Sequence, residues 1–337
     1  MVHDVAGIAA VQARLLRSAG HEVDEMPLPS VGAAWRWPAK GVALPVRFAA
    51  YWPTVRKLRR GRYDVVHIHW LTHGIVGVLA GLRFFAQAHG SDLHLNMRNP
   101  AYRWLTRRVM RRAEKIFYVT PNLRGYLEGF DSKAIYLPNP VEMRGVGQPH
   151  PAPNAVAKAV IFTRLDPVKG VERIFPAVER LNQTVELTAL EWGPVAREYV
   201  RRYGRWVKFV KPLPHDEVGA FLGQFDVVIG QMRQGILSLM EIEALGAGRP
   251  VITALDASLY STVDPPPVIT ASNADEIVAA VERLRADPAQ LIALSHAGRE
   301  WAMRNHSYAH HLELLQQAYF GSPTAQTVMP AIGPASL

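Results

Sequence analysis

Short apolar runs alternate with helical stretches along this chain, and the alternation occurs twice. In the first pass, residues 64–69, 83–88, 115–119 and 134–137 read as buried strands, and residues 8–18, 74–82 and 102–113 have helical spacing. In the second, residues 159–162, 184–190, 207–210, 226–229 and 250–253 read as strands. Residues 171–181, 194–203, 215–223, 239–247, 275–285 and 288–304 read as the helices around them. Parallel strands need a crossover that no hairpin supplies, so this order implies parallel sheets with helices on both faces. Between the passes lies a segment with five prolines, at 138, 140, 149, 151 and 153, which marks a linker. A chain of 337 residues is long for one core, and two doubly wound α/β domains are expected. Ligands of such domains sit at the carboxyl ends of the strands and in the cleft. The start is irregular. Only Val2 and His3 precede the turn Asp4-Val5-Ala6-Gly7, so the first strand is short or the natural chain begins upstream of Met1.

Two segments of the second half carry chemistry. In Ile161-Phe162-Thr163-Arg164-Leu165-Asp166-Pro167-Val168-Lys169-Gly170, two cations stand five residues apart in the loop leaving a strand. Arginine forks onto phosphate oxygens and lysine adds a compact charge, which suits a departing diphosphate. In the second, Gly235 leads a turn into an apolar helix carrying Glu241 and Glu243. A small-residue turn opening a helix offers free N–H groups and the positive end of the helix dipole to an anion. Glu243 can take both hydroxyls of a ribose. Glu241 points roughly 200° away around the helix, so the two cannot face one ligand. The alternatives at this stage are solvated loop cations and ordinary helix glutamates.

Composition narrows the class. Hydrophobic residues make up 49% and charged residues 20%, which excludes a disordered chain. There is no cysteine, hence no disulfide and no thiolate metal site. The apolar run 75–82 is far shorter than the roughly 20 residues of a membrane span. The first residues lack a basic leader followed by an apolar run, so a cytoplasmic location is expected. Residues 1–150 hold 21 Lys and Arg against 10 Asp and Glu; the remainder holds 17 against 19. The first half thus offers a positive surface to an anionic partner. Arg98, Arg103, Arg107, Arg108, Arg111, Arg112 and Lys115 surround Tyr102, Trp104, Leu105, Val109 and Met110, as in a helix resting on anionic membrane at its inner face. A second patch, Arg56, Lys57, Arg59, Arg60 and Arg62, follows Tyr51-Trp52. Simple solvation of a basic face explains both equally well. Nucleic acid is not expected as a partner, since no recognition motif accompanies the charge.

The first of these segments resembles the "GRL-x-x-x-KG" loop of the family 4 retaining glycosyltransferases of GT-B fold. Glu243-Ala244-Leu245-Gly246-Ala247-Gly248-Arg249-Pro250 resembles their "EAMACG-x-P" helix. Gly20-His21-Glu22-Val23, His89-Gly90-Ser91-Asp92, Pro138-Asn139-Pro140-Val141, Gly193-Pro194 and Pro214-His215-Asp216-Glu217-Val218 follow the family's order. The resemblance implies two facing Rossmann-like domains with a cleft between them. Residues 1–141 would bind the acceptor, 142–158 link, 159–304 bind the nucleotide-sugar donor, 305–320 cross back as a helix, and 321–337 form a disordered tail. It implies a nucleoside-diphosphate sugar as donor, a hydroxyl acceptor that is anionic or lipid-linked, and neither cofactor nor metal. By position, Arg164 and Lys169 would hold the diphosphate and Glu243 the ribose. Ile236, Leu237 and Ser238 would offer backbone N–H groups. Gly7 would let backbone approach the phosphates. His89 would lie under the donor sugar, with Asp92 and His69 on the acceptor side. One departure stands out. The family has a second glutamate eight residues before Glu243, contacting the donor sugar, and here that position is Gly235. Either Gln234 beside it substitutes by hydrogen bonding, or the donor differs, or the chain is a weak or inactive sugar-nucleotide-binding relative; an epimerase of the same fold is a further alternative. The acceptor pocket would lie on loops such as 35–52.

Overall fold

A computed structural model describes residues 1–5, 7–29, 39–94, 96–142 and 154–321. Most of the linker (143–153), the tail (322–337) and residues 30–38, which include the start of the expected acceptor loop 35–52, lie outside the described residues. In chain order the elements are α1 Ile8–Ser18, α2 Ala39–Arg60, β1 His67–His69, α3 Ile75–Ala80, β2 Phe85–Ala88, α4 Ser91–His94, α5 Pro100–Arg112, β3 Ile116–Tyr118 and β4 Ala134–Tyr136. Then follow β5 Lys158–Ile161, α6 Val171–Ile174, α7 Val178–Leu181, β6 Glu186–Leu190, α8 Ala196–Tyr203, β7 Lys208–Val210, α9 Val218–Leu222, β8 Val227–Ile229 and α10 Leu239–Gly246. The chain continues with β9 Val251–Thr253, β10 Ile269–Thr270, α11 Ala274–Ala286, α12 Pro288–His306 and α13 Tyr308–Phe320.

The strands form two all-parallel sheets, ordered β1-β2-β3-β4 and β10-β9-β8-β5-β6-β7. Covered by helices, most strands are buried on both faces, which is why they read as apolar runs without alternation. In the second sheet the chain proceeds outward from β5 through β6 and β7, then restarts on its other side with β8. The first sheet does the same with less. Val2 forms single parallel bridges to Met26 and to Ile68 of β1, so the irregular start is a strand one bridge long. Each sheet therefore has a point where strand order reverses, beside β5 and β8 in one and beside Val2 and β1 in the other. Ligands of open α/β sheets bind at such points.

Three elements depart from the periodicity. The helix expected over 171–181 breaks into α6, a 3-10 turn and α7, because Pro176 has no N–H and clashes with the preceding turn. Helix α2 was hidden by Pro45 and Pro53 inside it. Strand β10 is two residues long after three prolines.

Helix α13 packs on the first sheet although it follows the second in sequence. Its Leu315 is fully buried with Phe85, Phe117 and Leu137, and Tyr319 lies 2.6 Å from His67 Nδ1. His311 donates from Nδ1 to the Pro138 carbonyl at 2.8 Å, and its Nε2 meets the amide of Gln12 at 3.0 Å. His306 likewise holds the Asn139 carbonyl at 2.9 Å. Burial drives both imidazoles down to about 4, so they are neutral pins between the two crossings of the chain.

Candidate active site

The loop after β5 is shaped by Asp166. Its Oδ1 accepts the Val168 N–H at 3.0 Å and caps the 3-10 turn 167–169, while Oδ2 accepts from the guanidinium of Arg164. Asp166 thus aims Arg164. The Nε of that arginine is enclosed and has no partner among the described residues, a donor left for a ligand. Lys169 follows. Burial pulls its proton affinity below the ordinary lysine value, with the nearby positive charge of Arg164 acting in the same direction. Gly170 has φ +74°, and a Cβ there would stand 2.9 Å from the Met232 carbonyl carbon. Only glycine fits, which accounts for the Lys-Gly pair. The Gly193-Pro194 motif has the same cause: a Cβ on Gly193 would meet the Leu165 oxygen at 2.3 Å.

The facing loop leaves β8. Met232 N–H donates to the Lys169 carbonyl at 2.8 Å, and Lys169 Nζ donates to Gln234 Oε1 at 2.7 Å. Gln234, the expected substitute, is therefore a neutral partner of Lys169. Gln231 staples the loop from inside: fully buried, it donates to the carbonyls of Ile236 and Ala254 and accepts from the N–H of Arg233 and Gln234. Gly235 turns the chain with φ +70°, and a Cβ would lie 3.2 Å from that of Asp256. The position that should hold a glutamate has a backbone suited to glycine.

The two helix glutamates divide the work. Glu241 is fully buried and accepts the Gln231 N–H at 2.8 Å, the Ser238 N–H at 2.7 Å and the Ser238 hydroxyl. With Ser238 it forms a capping box on α10, so it builds the loop and faces no ligand. Glu243 lines the other side of the helix, 3.5 Å from His215 Nδ1, with its side chain 14% exposed. Burial first, and the charge of Glu241 second, raise its carboxyl to about 7. Of the three N–H groups expected to face an anion, two are engaged. Leu237 donates to the Tyr260 hydroxyl at 3.0 Å and Ser238 to Glu241. Of the three, Ile236 alone has no such partner among the described residues.

On the first sheet, His89 ends β2, half-buried, with its Nε2 3.0 Å from Nδ1 of His69. Burial lowers its imidazole to about 3. Asp92, expected on the acceptor side, is instead fully buried. Its oxygens accept the N–H groups of Leu71 and His89, each at 3.0 Å, tying the ends of β1 and β2 together. His69, also expected there, is 0% exposed and stacked between His67 and His89. Both stand behind His89. Gly7 has φ +78° and begins α1, with open space where a Cβ would be. Among the described residues no cluster of histidine, aspartate or glutamate could hold a metal ion.

Comparison with known proteins accords with this geometry. Residues 3–140 match the glycosyl transferase 4-like domain family, and residues 172–317 match a glycosyl transferase-like family. Similar folds include sucrose-phosphate synthase from Thermosynechococcus elongatus (TM-score 0.69, 16% identity, 94% of each chain). Others are a glycosyltransferase from Rickettsia africae (0.70, 14%, 95% of this chain and 96% of that one) and Anabaena HepE in complex with UDP and glucose (0.65, 12%, 90% and 87%). The chain is a family 4-like glycosyltransferase of GT-B fold. A relative in sequence, 27% identical over 256 residues, is the GDP-mannose-dependent alpha-(1-6)-phosphatidylinositol monomannoside mannosyltransferase of Mycolicibacterium smegmatis. The match spans 66% of either chain.

Within this glycosyltransferase, sequence reasoning missed Gln231, which staples the loop with four hydrogen bonds, and Tyr260, which accepts one from Leu237; neither belongs to a motif. Asp166 was inside a quoted motif, but its capping geometry could be read only from Asp-Pro at the start of a turn. A cavity of about 830 Å³ opens elsewhere, at the amino ends of the first sheet's strands between Leu16, Asp24, Tyr63 and Phe320, and takes no part in the site.

Proposed function

We propose that this glycosyltransferase moves a sugar from a nucleoside diphosphate to a hydroxyl of an acceptor on the first domain, with retention at the anomeric carbon. The observation that carries the reading is that Arg164 and Lys169 lie on the loop after β5 and Glu243 on α10 after β8, the two strands at the reversal point of the second sheet, with Arg164 Nε unsatisfied. In the reaction the acceptor oxygen bonds to the anomeric carbon and the carbon–oxygen bond to the diphosphate breaks. The acceptor proton passes to a departing phosphate oxygen on the same face. Arg164 and Lys169 take up the growing negative charge, so neither metal nor cofactor is required. Glu243 holds the ribose, and His89 bonds a hydroxyl of the donor sugar.

GDP-mannose, the donor in the relative's name, is the first to test, beside UDP-glucose and dTDP-glucose, by titration calorimetry. Binding of one and transfer to an acceptor are expected; no binding of any would sink the reading. Arg164→Ala or Lys169→Ala should weaken donor affinity at least about tenfold by loss of charge-assisted bonds.

The glycine at 235 favours a second reading, a relative that binds sugar nucleotides without transfer. Any acceptor-dependent release of nucleoside diphosphate excludes it. Conversion of free donor with no acceptor present would point instead to an epimerase.

The acceptor is proposed to be lipid-linked. Helix α5 buries Leu105, Val109 and Met110 and turns Arg103, Arg107, Arg108, Arg111 and Arg112 outward. Trp104 lies on that outer face, 62% exposed, under the guanidinium of Arg108. An exposed indole among arginines suits the anionic inner face of a membrane. No helix among the described residues is long and apolar enough to cross one.

A further inference from the structure

The ring of His89 is held from behind, and the way it is held decides which of its atoms can meet a ligand. Its backbone N–H donates to Asp92 Oδ1 at 3.0 Å. Its Nε2 lies 3.0 Å from Nδ1 of His69, with the ring centroids 5.2 Å apart and the planes 25° from parallel. Nδ1 of His89 is the nitrogen left over. No hydrogen bond among the described residues reaches it, and it is not sealed from solvent.

A bond between two imidazole nitrogens carries one proton. Both rings are neutral at pH 7: burial first, and the imidazole of His67 second, hold His69 well below the ordinary histidine value, and burial takes His89 to about 3. One ring therefore donates and the other accepts, and the protons can be placed in two ways. If His89 donates, His69 must carry its own proton on Nε2. That atom is fully enclosed and has no partner among the described residues. An N–H there would be sealed from water with nothing to receive it, the rarer kind of orphan in folded proteins.

The neighbours add to that cost. Gln87 is the register partner of His69 across β1 and β2, so the two side chains share a face of the sheet. The orientation of its amide is anchored at a backbone carbonyl. Pro138 accepts from His311 Nδ1, so His311 Nε2 accepts from Gln12 Nε2 at 3.0 Å. The same Gln12 nitrogen donates to Gln87 Oε1 at 3.0 Å. This leaves Gln87 Nε2, which can only donate, enclosed and unpaired. A proton on His69 Nε2 would add a second unpaired donor to this face. Gln12 Oε1 is an enclosed acceptor, but it makes no hydrogen bond with His69. With the His69 proton on Nδ1 instead, that proton is used, and the proton of His89 must lie on its own Nδ1.

We propose that His69 is a positioning residue: it donates to His89 and fixes the His89 proton on Nδ1, so that His89 meets its ligand as a hydrogen-bond donor and not as a base. This rests on the reading that His89 contacts the donor sugar, and adds which atom makes the contact and what that atom can bind. The partner must be an oxygen with a lone pair, such as a hydroxyl or the ring oxygen of the sugar. His69 occupies the lone pair of His89 Nε2, so none remains to take the acceptor's proton, and that proton goes to the departing phosphate.

The test uses the full chain with nitrogen-labelled histidine at pH 7.5. Long-range nitrogen–proton NMR spectra tell a protonated ring nitrogen from a bare one, and His89→Asn assigns the His89 signals. In the native chain both His69 and His89 should show Nδ1 protonated and Nε2 bare. His69→Phe keeps a ring in place and removes both nitrogens, and it should let the His89 proton spread to Nε2. The three sugar nucleotides named above and their nucleoside diphosphates are then titrated into both chains. The sugar nucleotide that binds should lose at least about fivefold in affinity in the variant, the worth of one hydrogen bond, while its nucleoside diphosphate stays within about twofold. A His89 proton on Nε2 in the native chain overturns the proposal, whether or not the variant folds. So does a His89 pattern that His69→Phe leaves unchanged. The expected patterns in both chains, with no sugar nucleotide bound or with the ratio of the two affinities unchanged, would uphold the role of His69 and strike the donor reading of His89 alone.

Discussion

In the proposed role Glu243 accepts both ribose hydroxyls as an anion, yet burial raises its carboxyl from 4.5 to about 7. The folded state therefore holds this proton more tightly than the unfolded chain. Below pH 4.5 both are protonated and nothing is lost. As pH rises from 4.5 toward 7 the unfolded carboxyl ionises first, so folding stability falls, and the full penalty remains above 7. Glu243→Gln should stabilise the protein at pH 8 by on the order of 2 kcal/mol, and not at all at pH 4.5. Thermal denaturation at the two pH values checks this. Donor affinity should move the opposite way: it should rise with pH through about 7 in the native chain and be lower and flat in the variant. Equal melting shifts at both pH values would refute the assignment. Gly235 makes a second prediction at this scale. Restoring the family's acid with Gly235→Glu forces a side chain onto φ +70° against Asp256, at a cost of about 1–2 kcal/mol in urea denaturation. No gain in transfer is expected. Spacing alone could show that glutamate was missing at 235; that the backbone there now turns the other way was visible only in the fold.

Among the elements, α10 and the loop before it behave as one unit. Glu241 ends three donors, and Gln231 fixes the loop between Ile236 and Ala254. Glu241→Ala would leave those donors buried and unpaired, a loss of about 3 kcal/mol or more with collapse of donor binding. Glu241→Gln keeps the shape but turns an N–H₂ toward a donor, so an intermediate loss is expected. A urea series on both variants separates them, and equal losses would count against the capping role. The periodicity of the helix was legible, and so was the fact that Glu241 and Glu243 face apart. That Glu241 turns inward to hold the loop from Gln231 to Ser238 was decided by the packing of α10 on its own sheet. For α2, the internal prolines hid an element whose Tyr51 is buried in the core of the first sheet.

For the molecule as a whole, the two sheets repeat one plan and α13 ties them. Leu315→Ala should cost about 2–4 kcal/mol, because the cavity would open between Phe85, Phe117 and Leu137. Tyr319→Phe removes only the bond to His67 and should cost about 1 kcal/mol. Equal effects would mean that the hydroxyl, and not the apolar face, holds the helix. On membranes, reversing Arg107 and Arg111 to glutamate should abolish flotation with anionic vesicles at low salt and leave donor affinity unchanged. Retained flotation would remove α5 from that role. The sequence by itself determined the strand–helix alternation, the reversal of charge between the halves and the cation and glutamate motifs, because these follow from local periodicity and residue chemistry. It also determined that a glutamate was missing. The tertiary structure alone decided which groups meet. His69 went behind His89 because its strand is buried on both faces, and Asp92 because it turns back from α4 to accept the N–H groups of Leu71 and His89. His69 met His89 because β1 and β2 pair side by side, across a sequence separation that no local pattern records.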